Sequence, residues 1–534
     1  MNNADLIVGI LKQAGIDRGF GIPSGNVLPL IEAMRGGDMA FVLTAHEGSA
    51  AFCADVTGRL TGRPGLCIAT LGPGATNLAT GVGSAYLDRS PMLAITCNLN
   101  ADQLGRRLQM YIDHHALFAP ITKASFDLRP GSIAATLQEA LAIALSEPQG
   151  PVHLDLPEDV SLAAASEEVP ASIVAATPLA VASDAEVETA AGLIAGAKRP
   201  VAVIGTSAMR MAAPDLLRDF VERNGIPFAS TTMAKGLVDE DHPLSIGCIE
   251  RGRRQMQRAF LRGADLVIGL GYDTIEVEYE AWTGGVPVLH VDIEAADTDG
   301  SVVIAGTVVG DLDATLARLN HRPAAPNEWP PGTAVAHKQA FQAALRPAAE
   351  GFTPHQAIDI VRRLLPRDGI LSFDVGAHTH QIAGQWTAHG PRTFLITNGW
   401  SSMGFGLPAA IAAKMACPER PVVCVLGDGC FQMTCGELAA AKRLGLTLPV
   451  VVLDDRWLSL IRIKQGQRQY ALTGSELQAE PYTDPPAHYF GVPAVGAAEP
   501  NELEAALAAA FEARGPTVIE AVVDPAHYMD TVFD

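Results

Sequence analysis

Gly427-Asp428-Gly429 follows an aliphatic run, PVVCVL, and precedes a stretch rich in Ala, Leu and Glu. Glycines at such a strand-to-helix turn let backbone N–H groups approach a phosphate, and Asp428 supplies a hard oxygen of the kind Mg²⁺ takes. A second aliphatic run, LPVVVL, delivers Asp454 and Asp455. Two oxygen donors from neighbouring strand ends, beside an anion-binding turn, are the parts of a metal–diphosphate site at the edge where open parallel sheets bind ligands. Gly-Asp-Gly alone is also an ordinary turn; the whole strand, turn, helix, strand and acidic pair carries the signal. Far upstream, Glu47 closes the β-like run FVLTAHE and opens a small-residue helix. A first-turn Glu, taken alone, commonly offsets the helix dipole.

The elements that must position these groups have a regular rhythm. Residues 1–165 alternate helical periods with short β-rich runs, among them GLCIAT, PMLAITC and PVHLDLP. Short apolar runs bounded by Gly or Pro and separated by helical stretches mark βαβ units around a parallel sheet. An Ala/Ser/Pro-rich linker from Ser161 to about Ala185 follows. A second unit carries PVAVIGTSA, ADLVIGLGYD and PVLHVDIE, and ends in the proline-rich segment His321–Thr333. A third begins near Pro354 with GILSFDVG and TFLITNG. The expected fold is α/β: three doubly wound parallel-sheet domains at 1–165, 186–325 and 352–534, as 534 residues exceed what one core supports.

Composition narrows the function. A net charge of −21, with no basic run to offset it, argues against a nucleic-acid backbone as partner. The N-terminus lacks a basic leader, and no uncharged apolar run is long enough to span a bilayer, so a cytoplasmic protein with no membrane partner is expected. The eight cysteines show no C-x-x-C spacing and read as buried thiols.

Taken together, these motifs resemble the thiamine diphosphate enzymes of the acetolactate synthase and benzoylformate decarboxylase group, whose diphosphate motif is GDG followed at a distance by Asn-Asn. Here Asp454-Asp455 replaces Asn-Asn. The resemblance implies that Asp428, Asp455 and the Trp457 carbonyl hold Mg²⁺, while Gly427, Gly429 and Cys430 meet the diphosphate. It also demands a carboxylate on the cofactor's aminopyrimidine ring, and HEGSAAFCADVTGRL supplies Glu47 in the matching motif. FGIPSGNVLP resembles a family turn and brings Pro23; TLGPGATN, with Thr70, Pro73 and Asn77, is close to the family's T-S-G-P-G-A-T-N. NGWSSMGFGLP implies that Met403 wedges between the cofactor rings, with a carbonyl near Ser401 facing the amino group. DVGAHTHQ places Gly376, Ala377 and His378 on the diphosphate side. Family members build the site between two chains, which implies a homodimer or homotetramer.

Substrate-facing positions follow from the same comparison. Ser24-Gly25 leaves room at Gly25, and Thr70 stands where benzoylformate decarboxylase has His. WLSLIRIKQ puts Leu460 and Ile461 toward the substrate and lacks a Glu, which disfavours pyruvate-decarboxylase-type protonation. In QMYIDHHALF, His114 and His115 are candidate proton carriers or, equally, an ordinary loop pair. The central segment has IGCIERG where flavin-binding synthases have G-M-H-G, and GYDTIEVEYEAW resembles flavin-free ones. The expected enzyme is a Mg²⁺/thiamine diphosphate-dependent decarboxylase and carboligase acting on a small 2-oxo acid, with acetolactate synthase activity leading. Rivals are a simple 2-oxo acid decarboxylase, an acyl-CoA lyase, a diketone C–C hydrolase, or a non-catalytic thiamine diphosphate-binding protein.

Overall fold

The computed structural model describes residues 1–249, 251–277, 281–298, 300–478 and 485–532. Glu250 and 278–280, within two of the motifs above, lie outside the described residues, as do 479–484 and 533–534 of the third expected domain. Among the described residues the strands form three sheets.

The first sheet holds β1 (Arg18–Gly21), β2 (Ala40–Leu43), β3 (Gly65–Thr70), β4 (Met92–Asn98), β5 (Ala124–Asp127) and β6 (Pro151–Pro157) in the order β2-β1-β3-β4-β6-β5, all parallel. The second holds β7 (Pro200–Ile204), β8 (Phe228–Ser230), β9 (Ser245–Cys248), β10 (Leu266–Leu270), β11 (Val288–Asp292) and β12 (Ile304–Val309), ordered β12-β11-β10-β7-β8-β9. The third holds β13 (Ile370–Phe373), β14 (Phe394–Leu395), β15 (Val422–Gly427), β16 (Leu448–Asp454), β17 (His488–Tyr489), β18 (Val492–Ala497) and β19 (Pro516–Val522), ordered β14-β13-β15-β16-β19-β18-β17. The expected α/β class holds, with one departure: the edge pair β17 and β18 is antiparallel. That pair is joined by a turn with Gly491 at φ +77°, which reverses the chain without a crossover helix.

Central strands such as β4, β6, β15 and β16 are buried along their whole length, which is why their sequences are mostly apolar rather than alternating. Each sheet has a switch in strand order near its middle: between β1 and β3, between β7 and β10, and between β13 and β15. Loops leaving the carboxyl ends of these strands diverge to opposite faces and open a crevice. In the middle sheet the chain's own Glu276 closes part of that edge, taking the Thr206 N–H at 2.8 Å and the Thr231 hydroxyl.

The outer sheets share a core. The helix Glu47–Thr61 packs on the helix Gly406–Ala416, with Phe52 edge-on to Phe405 at 5.6 Å and the Cys53 thiol donating to the Pro408 carbonyl. Truncating a buried Phe in such a contact costs about 3–5 kcal/mol, so each outer unit helps to hold the other's helix in place. Among the described residues no helix is long and apolar enough to cross a membrane.

Candidate cofactor site

The crevice between β13 and β15 is a cavity of about 220 Å³. Three loops line it: Val375–His378 after β13, Gly427–Cys430 after β15 and Asp455–Ile461 after β16, joined by Ser401 and Met403. Gly376, Ala377, His378, Ser401, Met403, Gly427, Asp428, Gly429, Cys430, Asp455, Trp457, Leu460 and Ile461, singled out in the sequence, therefore meet in one place.

Buried carboxylates dominate its floor. Asp428 accepts the Gly429 and Arg456 N–H groups, each at 2.9 Å, and Asp455 accepts the Trp457 N–H at 2.9 Å and the Ser459 hydroxyl at 2.8 Å. Burial, then the charges of Asp455 and Asp454, hold the Asp428 carboxyl well above the usual range; burial does the same for Asp455. Such a set of oxygen donors is what a hard divalent cation satisfies. The cradle beside it is shaped by missing side chains: a Cβ on Gly427 would lie 3.1 Å from the His378 ring, and one on Gly429 2.8 Å from Leu458. Nε2 of His378 is buried with no hydrogen-bond partner, and burial lowers that imidazole to about 4, so it is neutral near pH 7. A neutral ring with an unspent nitrogen, glycine-lined space and paired carboxylates fit a metal-bound diphosphate.

Two carboxylates missed in the sequence position this cavity. Asp374, fully buried after β13, accepts the N–H groups of Val375, Gly404 and Gly406 at 2.8–3.0 Å and so fixes the segment carrying Met403. Asp88 accepts the N–H groups of Asn398 and Gly399 and pairs with Arg59 at 2.9 Å, anchoring the turn that carries Ser401. An acidic residue at the end of an otherwise aliphatic run was the available signal for Asp374; Asp88 sits in an ordinary-looking helix end and gave none.

The second group of predicted residues gathers at the crevice of the first sheet. Glu47 begins its helix behind an N-cap at His46, whose Nδ1 accepts the Gly48 N–H. Asn77 donates to Glu47 Oε2 at 3.0 Å, and a Cβ on Gly74 would stand 3.4 Å from Glu47 Oε1. Thr70 ends β3, and its hydroxyl is buried with no partner. Pro23, Gly25 and Pro73 are exposed on neighbouring turns. None of this group lines the Asp428 cavity, whose lining residues all fall between 375 and 461.

His114 and His115, expected as proton carriers or a loop pair, are both engaged away from that cavity. His114 is buried, bonded to Asp155 at Nδ1 (2.9 Å) and to the Gly72 N–H at Nε2 (3.2 Å). His115 meets the Ser125 hydroxyl at 2.6 Å and Asp127 at 2.7 Å.

Comparison with known proteins agrees with this anatomy. Residues 1–117 match the thiamine pyrophosphate enzyme N-terminal TPP binding domain, 187–319 the central domain and 374–521 the C-terminal TPP binding domain. The chain is 30% identical to a "Probable acetolactate synthase large subunit" of Methanocaldococcus jannaschii, over 100% of this chain and 93% of the relative. It is 31% identical to the "Acetolactate synthase large subunit" of Parasynechococcus marenigrum (97% and 87% covered) and to the "Acetolactate synthase isozyme 2 large subunit" of Escherichia coli (98% and 96%). With both outer sheets carrying such a crevice and all three domain models matched in order, the chain belongs to the thiamine pyrophosphate enzyme family, as an acetolactate synthase-like enzyme.

Proposed function

We propose that this enzyme decarboxylates a small 2-oxo acid, pyruvate in the leading case, and joins the remaining acyl unit to a second carbonyl. The observation that carries the reading is the convergence of Gly427, Asp428, Gly429, Asp455, His378 and Met403 on one cavity at the switch point of the third sheet. Bound thiamine diphosphate supplies the electron sink that lets a 2-oxo acid lose CO₂. The chain's own groups do the rest. Asp428, Asp455 and the Trp457 carbonyl would hold Mg²⁺, which offsets the buried negative charge; the Gly427 to Cys430 turn and His378 would receive the diphosphate. Glu47, already oriented by Asn77, would hold a proton on the aminopyrimidine. Leu460 and Ile461 line the cavity mouth and give the acyl unit an apolar wall.

Glu47 and the Asp428 cavity lie on different sheets, and no residue of the first sheet's crevice lines that cavity. A complete site then takes Glu47 from a second copy, so the working form is a homodimer or homotetramer. We take 1–165, 186–325 and 352–534 as the three domains. The enzyme acts in the cytoplasm, a reading supported by cysteines set in apolar segments without C-x-x-C spacing.

Incubation with thiamine diphosphate, Mg²⁺ and pyruvate tests this reading, with CO₂ and, after acidification, acetoin as readouts. Acetoin supports carboligation; CO₂ accompanied by acetaldehyde alone refutes it in favour of simple decarboxylation.

A further inference from the structure

Asp155 lies on β6, buried, and its carboxylate accepts from three neighbours. Oδ1 takes the Thr96 hydroxyl at 2.7 Å and His114 at 2.9 Å, and Oδ2 takes the Asn98 amide at 2.8 Å. Burial opposes its ionisation, but these hydrogen bonds outweigh it and hold the carboxyl below its ordinary range. An ionised carboxylate only accepts, so the His114 proton sits on Nδ1 and the lone pair on Nε2 is left to receive the Gly72 N–H. The opposite tautomer would set lone pair against carboxylate and proton against N–H.

Gly72 needs that support. Its backbone, φ +60° and ψ −108°, is one that side-chain-bearing residues avoid, and a Cβ there would lie 2.1 Å from the Met110 carbonyl oxygen. The turn it makes delivers Gly74 against both Thr70 and Glu47. Asn98, another partner of Asp155, accepts the Asn26 side-chain amide at 3.2 Å on its carbonyl and so ties in the Pro23–Gly25 turn as well.

The geometry points to His114 as a positioning residue: locked in one tautomer by Asp155, it takes the Gly72 N–H and sets the turn from Thr70 to Gly74 against Glu47. This deepens the proposed function and rests on Glu47 facing the cofactor. The sequence left His114 as a proton carrier or, equally, one of a loop pair; its full engagement inside the first sheet gives it this other task.

A pair of variants separates the role from mere packing. A glutamine reaches the place of Nε2 and can accept the Gly72 N–H; an asparagine reaches the place of Nδ1 and can bond Asp155 only. Amide hydrogen exchange of the peptide bearing Gly72, in protein without cofactor, and thiamine diphosphate affinity by fluorescence titration with Mg²⁺ are the readouts. His114→Gln is expected to stay within about threefold of wild type in both, whereas His114→Asn speeds exchange and weakens affinity by about tenfold, the effect of one buried N–H losing its acceptor. Equal behaviour of the two variants overturns the proposal: both intact means the bond is dispensable, both impaired means the ring only fills space. The reverse order overturns it too. Wild-type protein that binds no thiamine diphosphate defeats the cofactor reading instead, and leaves the exchange comparison standing.

Discussion

The Asn77 side-chain amide donates to Oε2 of Glu47 at 3.0 Å, while Oε1 faces the Gly74 turn. One carboxylate oxygen is thereby fixed by a neutral partner and the other is directed at the crevice of the first sheet. A carboxylate so oriented can hold a proton on a ring without being neutralised by a neighbouring cation.

Replacing that carboxylate with its amide keeps the shape and removes the proton acceptor. Glu47→Gln is expected to lower turnover of pyruvate by on the order of 10²–10⁴-fold, the usual range for a general acid–base group, with thiamine diphosphate affinity near that of wild type. Steady-state rates and a cofactor titration on the same preparation check it. Full turnover in the variant removes Glu47 from the chemistry.

On the proposed reading, the acidic floor of the cavity makes cofactor binding depend on a metal. Asp428→Ala is expected to raise the Mg²⁺ concentration that half-saturates cofactor binding by about tenfold or more, as one ligand and one charge are lost. Chelation of wild-type protein should release thiamine diphosphate. Unchanged Mg²⁺ dependence in the variant would contradict the ligand assignment.

Asp88 joins units far apart in the chain, bonding Arg59 on one side and the Asn398 and Gly399 amides on the other. Asp88→Ala leaves those groups buried without their acceptor, and about 3 kcal/mol of stability is expected to be lost. Urea unfolding gives the value. A loss below the error of the method would mean that Asp55, which also bonds Arg59 at 2.6 Å, carries the cluster alone.

Acid should weaken the first sheet through His153. This ring stacks on Phe118 at 4.4 Å, bonds Thr96 and Ser125, and burial lowers it from 6.5 to about 3. Between those values the unfolded chain binds the extra proton, so stability is complete above pH 6.5 and falls as pH drops through that window. Urea midpoints measured from pH 7 to pH 5 should decline, and decline less in His153→Gln. Parallel pH profiles for the two proteins would assign the acid sensitivity to other groups.

Much of this was legible in the residues. The buried strands β4, β7, β10, β15 and β16 announce themselves as largely aliphatic runs, and the Gly427 to Cys430 turn stands out because glycine and aspartate interrupt one of them. Short strands such as β1, with two glycines in four residues, and the three-residue β8 have no periodicity to read; sheet neighbours, not propensity, make them strands. Positioning groups were harder still. Asp155 and Asp88 act through partners remote in the chain, such as Thr96 and Asn398, and nothing local to either residue shows those contacts. His114 showed its residue type but not its tautomer, which is set by a carboxylate on another strand.

The cavity around Asp428 draws its whole lining from 375–461, whereas Glu47, Thr70 and the His114 clamp belong to the opposite end of the chain. On the proposed roles, the grip on the phosphates and the carboxylate that faces the ring are thus written in separate stretches of sequence. On those roles, mutational drift in the early turns would alter the half that handles the proton while the machinery that grips the phosphates stays untouched, and a lineage could adjust the one without rebuilding the other.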